Sequence, residues 1–541
     1  MRIFFLEGSW EEMGRKWAEG LKREALESVR YFMNSASRSV AHTTADSSIK
    51  RLAAELLTRA LLKYKARKIH PHDRAFLSAM AGALGVSESG LLETFCAPDV
   101  LNYLLSLVDH LSNRALPPVI MGCSSAVVLK GGQQASSYHA RNLDYVGGRY
   151  WERGHCILVM RPRKGLASVS VTSEGMYCPG VTTVNEAGLS MSLHLNFTSD
   201  RSLRGVPITT VVSLVASRAK TPSEAVDILR REKPMSGWCL VLSNGTEAVA
   251  VELSAGSMGI VHPEGGILCY TNMYISPNMA DTEYVPSYIW AENNNARYRR
   301  MKGLLLEGYG SLDAEALAGI MSDTFDITHN RETALGHTIS NAANISCAII
   351  STTEDALWAS DSPVPASRGR FPGFRLSGLL EGKKESIGEI KGKRLPRVKE
   401  EAFRWFVEAC FVWEESMQVK ETLERVNQAV ALDPEPLYLL VKGWLEAKLG
   451  RLEEAKACFS EVLRDPGLPK SRRAQALLWK ARMCDLTEKR AEAKELYRDV
   501  LRLGAPLDLQ NLAVSGLKRP YSKKRLKGLE ILPFIADFVD L

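Results

Sequence analysis

The sequence lacks the short ligand spacings that metal and phosphate sites use. Its ten cysteines are scattered from Cys96 to Cys484 with no CxxC pair, whereas zinc sites use paired soft ligands. Walker and GxGxxG loops are absent, and no apolar run approaches the ~18–20 residues of a membrane span. We therefore expect no metal, no cofactor and no membrane span, and the scattered cysteines favour a reducing, cytoplasmic environment.

The charge balance is too weak for a nucleic-acid-binding protein. The 541 residues carry 69 Lys and Arg against 62 Asp and Glu, a net charge of +7, and most of the excess lies in residues 371–541. A basic stripe would be needed to predict nucleic-acid binding. The basic segments 383–399 and 518–527 are instead typical of a solvated linker and a terminal helix, with a protein-binding patch as the alternative.

The hydrophobic pattern changes along the chain. Apolar residues recur at three- and four-residue intervals in residues 9–38, about 48–69 and about 72–112, which predicts a helical segment over residues 1–122. Between 123 and 378, short β-rich runs closed by glycine turns alternate with helical stretches. This order is typical of an α+β fold with antiparallel sheets and packed helices.

The C-terminal part is expected to form a separate helical domain. Residues 379–400 are rich in Gly, Lys and Glu and predict a linker. Within 401–541, Gly443 and Ala455 have the same spacing as Ala481 and Ala493, and an aromatic residue follows four positions after each second member. This spacing favours a tetratricopeptide-like repeat that binds a protein partner or a second copy of the chain; a generic helical bundle is the alternative.

One cysteine stands out by its position. Gly122 and Cys123 open the first predicted strand of the β-rich region, and Arg141 and Asp144 lie in the second strand of the same hairpin. A hairpin brings its second strand back beside the start of its first, and a guanidinium favours the reactive thiolate. If Cys123 became a chain terminus, its α-amine would be a general base that Asp144 could hold.

These residues resemble the N-terminal-nucleophile hydrolases of the acyl-coenzyme A:6-aminopenicillanate acyltransferase type, relatives of choloylglycine hydrolases and penicillin V acylases. The likeness spans about residues 5–370. The motifs that carry it, besides Gly122-Cys123 and residues 141–144, are residues 184–189 (VNEAGL), 270–272 (YTN), 294–301 (NNARYRRM), and the pair 337–338 with 361–363.

The resemblance implies a four-layer αββα sandwich and a self-cleaving precursor. Cleavage would fall at the Gly122–Cys123 bond and leave residues 1–122 as a retained chain. The implied roles are a nucleophile and amine base at Cys123, thiolate stabilisation by Arg141 and amine orientation by Asp144. An oxyanion hole would use Asn272 with a backbone N–H of the Asn185 hairpin, and Arg297 would support the nucleophile pocket or bind substrate.

The sequence is compatible with hydrolysis, with acyl transfer and with a non-catalytic role. Arg141 matches the choloylglycine hydrolase pattern better than that of the acyltransferase, which favours hydrolysis of a linear amide with water as acceptor. Acyl transfer from a thioester such as acyl-CoA is the alternative, and a non-catalytic scaffold is a third. His139 and His194 are expected to be hydrogen-bonded core histidines.

Overall fold

The computed structural model describes residues 1–44, 48–112 and 122–540. The N-terminal segment starts with a strand and continues with helices. Its elements are β1 (Arg2–Gly8), α1 (Trp10–Gly20), α2 (Arg23–Thr44), α3 (Ser48–Ala66), α4 (Pro71–Leu84) and α5 (Glu88–Ser112).

The β-rich region alternates strands and helices. Its first half contains β2 (Gly122–Val128), β3 (Tyr138–Asp144), α6 (Gly148–Glu152), β4 (His155–Pro162), β5 (Ser168–Ser173), β6 (Thr182–Asn185), β7 (Ser190–Leu195), α7 (Ile208–Arg218), α8 (Pro222–Arg231), β8 (Trp238–Ser243), β9 (Ala248–Leu253) and β10 (Met258–Val261). Its second half contains β11 (Ile267–Tyr270), α9 (Pro277–Ala280), α10 (Tyr288–Gly308), α11 (Ala314–Met321), β12 (Phe325–Asp326), β13 (Arg331–Glu332), β14 (Asn344–Ser351), β15 (Ala356–Ala359), β16 (Arg370–Arg375), α12 (Leu376–Leu380) and β17 (Ser386–Lys391).

Two large sheets organise these strands. The eight-stranded sheet has the order β1-β4-β5-β6-β7-β8-β9-β10, and the seven-stranded sheet has the order β11-β2-β3-β14-β15-β16-β17. Neighbouring strands are antiparallel, except that β1 runs parallel to β4. The predicted α+β class is therefore confirmed.

The buried faces of the two sheets share one apolar cluster. Ile157 and Val169 of the eight-stranded sheet lie in it with Ile350, Leu357 and Phe374 of the seven-stranded sheet. A second cluster joins the eight-stranded sheet to α7 and α8. A third joins the seven-stranded sheet to α10 and α11. Each sheet thus packs against helices and against the other sheet.

The expectation of a wholly helical 1–122 segment is wrong at its start. β1 alternates buried and exposed side chains, with Phe4 and Leu6 buried, which is the two-residue period of a strand. It pairs with β4 from Arg2 opposite Cys156 to Gly8 opposite Pro162. Seven residues are too few for a helical period to be distinguished from a strand, so the segment was misassigned.

Buried polar contacts also hold the N-terminal segment to the sheets. Asp99 of α5 accepts hydrogen bonds from the backbone N–H groups of Ile208 (3.2 Å) and Met235 (3.1 Å). The same carboxylate accepts from Ser236 Oγ at 2.6 Å and Trp238 Nε1 at 2.9 Å. Burial raises the pKa of Asp99, and these four donors offset the cost of desolvating it.

The expectation of a linker over 379–400 is also wrong. Within that range β17 pairs with β16, with Arg370 opposite Lys391 and Phe371 opposite Ile390. β17 is an edge strand of the seven-stranded sheet. Its charged side chains suit an edge that must not pair with other molecules, and the same charges give the sequence the composition of a linker.

The C-terminal region is helical up to a final hairpin, which the expectation of an all-helical region did not include. Its elements are α13 (Arg397–Ser416), α14 (Val419–Leu432), α15 (Pro436–Lys448), α16 (Leu452–Val462), α17 (Lys470–Leu486), α18 (Arg490–Arg502), α19 (Leu507–Lys518), α20 (Lys523–Lys527), β18 (Leu529–Leu532) and β19 (Asp537–Asp540).

Two glycines in this region are positions of close helix contact. A Cβ on Gly443 would lie 2.6 Å from the Phe459 ring, and one on Gly516 would lie 2.4 Å from the Tyr497 ring. Small residues therefore let α15 approach α16 and let α18 approach α19. The assignment of these helices to a tetratricopeptide repeat remains a prediction.

One apolar cluster joins the C-terminal helices to the β-rich region. Ala343, Ile345 and Val364 share it with Phe403 and Phe406 of α13. We predict that Phe406→Ala destabilises the protein by about 3–5 kcal/mol, because Phe406 is fully buried and truncation leaves a cavity. Urea unfolding followed by tryptophan fluorescence measures this.

Trp405→Ala is the matched control, since the neighbouring Trp405 side chain is 40% exposed. Its cost should stay well below that of Phe406→Ala. Equal losses for the two variants would contradict the packing described.

Candidate active site

The antiparallel pairing of β2 with β3 places the predicted site residues. Gly122 lies opposite Asp144, Cys123 opposite Leu143, and Ser125 opposite Arg141. Asn142 of β3 secures the strand, because its Nδ2 donates to Met321 O and Ile339 O. Both Arg141 and Asp144 are buried with Cys123.

The Cys123 thiol lies against a guanidinium. Arg141 Nη2 donates to Cys123 Sγ at 3.1 Å, and Arg141 also bonds Thr182 Oγ1 and Leu193 O. The thiol is 5% exposed, and burial raises its pKa, while the positive charge of Arg141 acts in the opposite direction. The thiol therefore needs a base to become a thiolate.

Asn272 lies at the backbone nitrogen of Cys123. The residue follows β11, which pairs with β2. The Cys123 N–H donates to Asn272 Oδ1 at 2.7 Å, and Asn272 Nδ2 donates to Leu195 O at 2.8 Å. In this arrangement the side chain holds the Cys123 nitrogen, and its Nδ2, which an oxyanion hole would need, is bonded to Leu195.

Arg297 of α10 connects Cys123 to Asn272. Its Nη1 donates to Cys123 O at 2.7 Å and to Ser124 Oγ at 2.9 Å. Its Nη2 donates to Asn272 Oδ1 at 3.1 Å. The Arg297 side chain is 1% exposed, so its charge is directed wholly into this group of residues.

Asn293 and Asn294 hold the guanidinium in place. Arg297 Nε donates to Asn293 Oδ1 at 2.7 Å, and Nη2 donates to Asn294 Oδ1. The two asparagines precede Arg297 by four and three residues, and side chains at these spacings meet on one helix face. Asn293 was not predicted, although this spacing would have identified it.

Asp144 has one bonded and one unbonded oxygen. Its Oδ1 accepts from Asn344 Nδ2 at 3.0 Å, while its Oδ2 is buried without a hydrogen-bond partner. A Cβ added to Gly122 would lie 2.8 Å from that Oδ2. Burial raises the pKa of Asp144, against the effect of Arg297. An unsatisfied acceptor thus faces the residue that precedes Cys123.

Asn344 was also missed by the sequence interpretation. It lies opposite Asp144 in the pairing of β14 with β3, two hundred residues along the chain. No local pattern signals such a long-range partner, and only the sheet order brings the two together.

Asn185 is not brought to this group. Its Nδ2 donates to Ala216 O and Ala219 O at the end of α7. Its Oδ1 accepts from the N–H groups of Ala187 and Leu189. The Asn185 side chain therefore holds the turn, and the Glu186 N–H donates to Ala167 O. An oxyanion donor from the Asn185 hairpin stays a prediction.

His139 and His194 lie in a serine network between the sheets. His139 bonds Ser190 Oγ and Ser192 Oγ, each at 2.9 Å, and His194 Nε2 bonds Ser125 Oγ at 2.7 Å. Burial lowers the pKa of His139 to about 3 and that of His194 well below its usual range. Both imidazoles are therefore neutral near pH 7.

The described ranges contain neither a cluster of metal ligands nor a membrane-spanning helix. Among residues 1–44, 48–112 and 122–540, no group of three or more His, Cys, Asp or Glu side chains could hold a metal ion. In the same ranges, no helix combines the length and apolar character needed to cross a bilayer.

We predict that Gly122→Ala destabilises the uncleaved chain by about 1–3 kcal/mol, because the added methyl group meets Asp144. The measurement is urea unfolding in a Cys123→Ala background, which keeps the 122–123 peptide intact. In an Asp144→Ala background the cost should fall, since the contact is gone.

Gly303→Ala is the control, because no atom lies within 4 Å of the added carbon in α10. It should stabilise the protein by about 0.5–1 kcal/mol. An unchanged cost of Gly122→Ala in the Asp144→Ala background would contradict the close contact.

Comparison with known proteins supports the family resemblance. A family model described as acyl-coenzyme A:6-aminopenicillanic acid acyl-transferase matches residues 130–359, which include Arg141, Asp144, Asn272 and Arg297. No curated protein matches the chain. The β-rich region is therefore similar, over residues 130–359, to a family of acyl-transferring enzymes.

Proposed function

We propose that the chain is a self-processing amidohydrolase whose nucleophile is the N-terminal cysteine released by cleavage between Gly122 and Cys123. The observation that carries the proposal is the unpartnered Asp144 Oδ2, buried against Gly122. A free amine on Cys123 would supply the donor that this oxygen lacks. The match to an acyltransferase family covers residues 130–359, which include Asp144 but begin after Cys123, and it supports acyl chemistry in that range.

Self-cleavage would begin at the thiol of Cys123. Its sulfur attacks the Gly122 carbonyl carbon, and the bond from that carbon to the Cys123 nitrogen breaks. The proton that the thiol loses passes to this leaving nitrogen. Water then hydrolyses the resulting thioester, which leaves a Gly122 carboxylate and a free Cys123 amine. Arg141, at 3.1 Å from Sγ, favours the attacking thiolate.

The freed amine would then be the catalytic base. An unperturbed α-amine has a pKa of ~7.7–8.0, which suits proton transfer near neutral pH. Asn272 Oδ1 already accepts from this nitrogen at 2.7 Å, and Asp144 Oδ2 would provide a second acceptor. Two acceptors fix the direction of the lone pair toward the thiol.

In turnover the amine removes the thiol proton and the sulfur attacks the amide carbonyl of the substrate. The amine returns the proton to the leaving nitrogen, and water hydrolyses the acyl-thioester. Asn272 Nδ2 would stabilise the oxyanion only after exchanging its bond to Leu195 O. We leave Asn185 out of this site because its side chain holds its own turn.

Acyl transfer is the second candidate. The matching family is described as an acyl-transferase, and an acyl-thioester on Cys123 can be attacked by an amine as well as by water. Arg141 favours hydrolysis, because it follows the choloylglycine hydrolase pattern. A non-catalytic scaffold is the remaining alternative, in which the C-terminal helices alone would act.

We further propose that the region has the four-layer αββα architecture of N-terminal-nucleophile hydrolases. Support comes from the shared cluster between the two sheets and from the clusters that join each sheet to its own helices. The proposed division is a 1–122 segment, a catalytic core that extends to β17, and a helical C-terminal domain.

We predict that the purified protein migrates as two chains of about 13 and 46 kDa, at ~110 Da per residue. N-terminal sequencing of the larger chain should begin Cys-Ser-Ser-Ala. Cys123→Ala should leave a single chain without activity, because it removes the attacking sulfur. Cys178→Ala is the matched control and should still be cleaved. A wild-type chain that stays intact would favour the scaffold.

A second measurement separates hydrolysis from transfer. The cleaved protein is incubated with a library of N-acyl amides, and separately with acyl-CoA plus an amine. We expect free acid and amine from the amides, and no new amide from acyl-CoA. New amide formation that depends on Cys123 would instead establish acyl transfer.

A further inference from the structure

The proposed catalytic residues lie at one end of the seven-stranded sheet. Cys123 is near the start of β2, Asp144 ends β3, and Asn344 starts β14. The pairing of these strands puts the three residues side by side. The loop 145–147 leaves β3 at this end, and 360–369 connects β15 to β16 there.

The C-terminal helices contact that end of the core. Arg404 of α13 bonds the Glu152 carboxylate at 3.1 Å. Arg149 bonds Glu408 at 3.0 Å and pairs with Glu415 at 2.8 Å. Three side chains of one helix therefore hold the residues that follow the catalytic strand β3.

Apolar and ring contacts extend the same interface. Ala343 and Ile345, on either side of Asn344, share a cluster with Phe403 of α13. The Arg368 guanidinium lies 4.5 Å from the centre of the Phe403 ring. α13 thus covers the strand starts and loops that surround Asp144.

Glu414 of α13 contacts Gly147, a residue close to Asp144 in the sequence. It accepts a hydrogen bond at 3.0 Å from the N–H of Gly147, which follows Asp144 by three residues. Gly147 is buried and has a φ of +77°, a conformation that favours glycine. Its N–H would be left unsatisfied without the Glu414 carboxylate.

The N-terminal segment closes the other side of Gly147. A Cβ on this glycine would lie 2.7 Å from the Phe32 ring and 2.9 Å from the Tyr31 ring of α2. Loop 145–147 is therefore held between α2 and α13. Neither helix belongs to the sheets that carry the proposed nucleophile.

We propose that the C-terminal helical domain is a structural part of the active site, and that Glu414 is a positioning residue that fixes loop 145–147 and, through it, Asp144. This inference rests on the proposed function, because it assumes that Asp144 orients the Cys123 amine. The helical domain then serves the enzyme's own site, beyond any partner that it binds on other faces.

The test compares Glu414→Ala with Glu414→Gln at pH 8. Burial raises the pKa of Glu414 to about 7, so the wild-type carboxylate is charged at this pH. The alanine variant removes the acceptor for the Gly147 N–H and should slow self-cleavage and lower kcat by at least about tenfold, with KM within about twofold. Glutamine keeps an acceptor oxygen and should recover most of both rates.

Glu421→Ala is the matched control, because the Glu421 side chain of α14 is 41% exposed and pairs with Arg425 one turn along the same helix. It should cleave and turn over like wild type. Wild-type rates in Glu414→Ala, or a rise in KM without a fall in kcat, would overturn the proposal.

If the wild-type chain is neither cleaved nor active, hydrogen–deuterium exchange at the Gly147 amide still tests whether Glu414 fixes loop 145–147. The absence of cleavage and activity would contradict the proposed function. The Gly147 amide should still be protected in wild type and Glu414→Gln, and should exchange at least about tenfold faster in Glu414→Ala. Equal exchange in all three would overturn the positioning role itself.

Discussion

The antiparallel pairing of β2 with β3 determines which side chains surround Cys123. Because Gly122 lies opposite Asp144 and Ser125 opposite Arg141, a carboxylate and a guanidinium are brought to the two sides of one cysteine. A one-residue slip would turn both side chains to the other face of the sheet. The pairings with β11 and β14 then add Asn272 and the neighbours of Asp144.

Burial strengthens the electrostatic interactions among the residues around Cys123. Arg141, Arg297 and Asp144 are all within 2% of full burial, where charges interact strongly and unpaired polar atoms are costly. Asp144 Oδ2 is buried without a partner beside the 122–123 peptide, and Arg141 Nε and Asn142 Oδ1 of the same strand are unpartnered as well. A chain start at Cys123 would add a donor at that place. The structure of the uncleaved chain thus already contains acceptors for the amine that cleavage would produce.

The sequence predicted what depends on local spacing and missed what depends on distant pairing. The β2–β3 hairpin with Arg141 and Asp144 lies within about two dozen residues, so turn chemistry was sufficient to bring them together. The role of Asn344 was not predicted, because its partner Asp144 is two hundred residues away in the sequence. Asn185 was assigned a role from its motif, whereas its side chain is used by its own turn. β1 and β17 were missed because short edge strands with charged residues resemble helix starts or linkers.

In the proposed mature enzyme, Asp144 Oδ2 receives the α-amine of a new N-terminus at Cys123. A crystal structure of the purified wild-type protein tests it most directly. We predict a chain break after Gly122, with the Cys123 nitrogen within about 3 Å of both Asp144 Oδ2 and Asn272 Oδ1. Continuous density through the 122–123 peptide in fully matured protein, with Asp144 Oδ2 still unbonded, would contradict it.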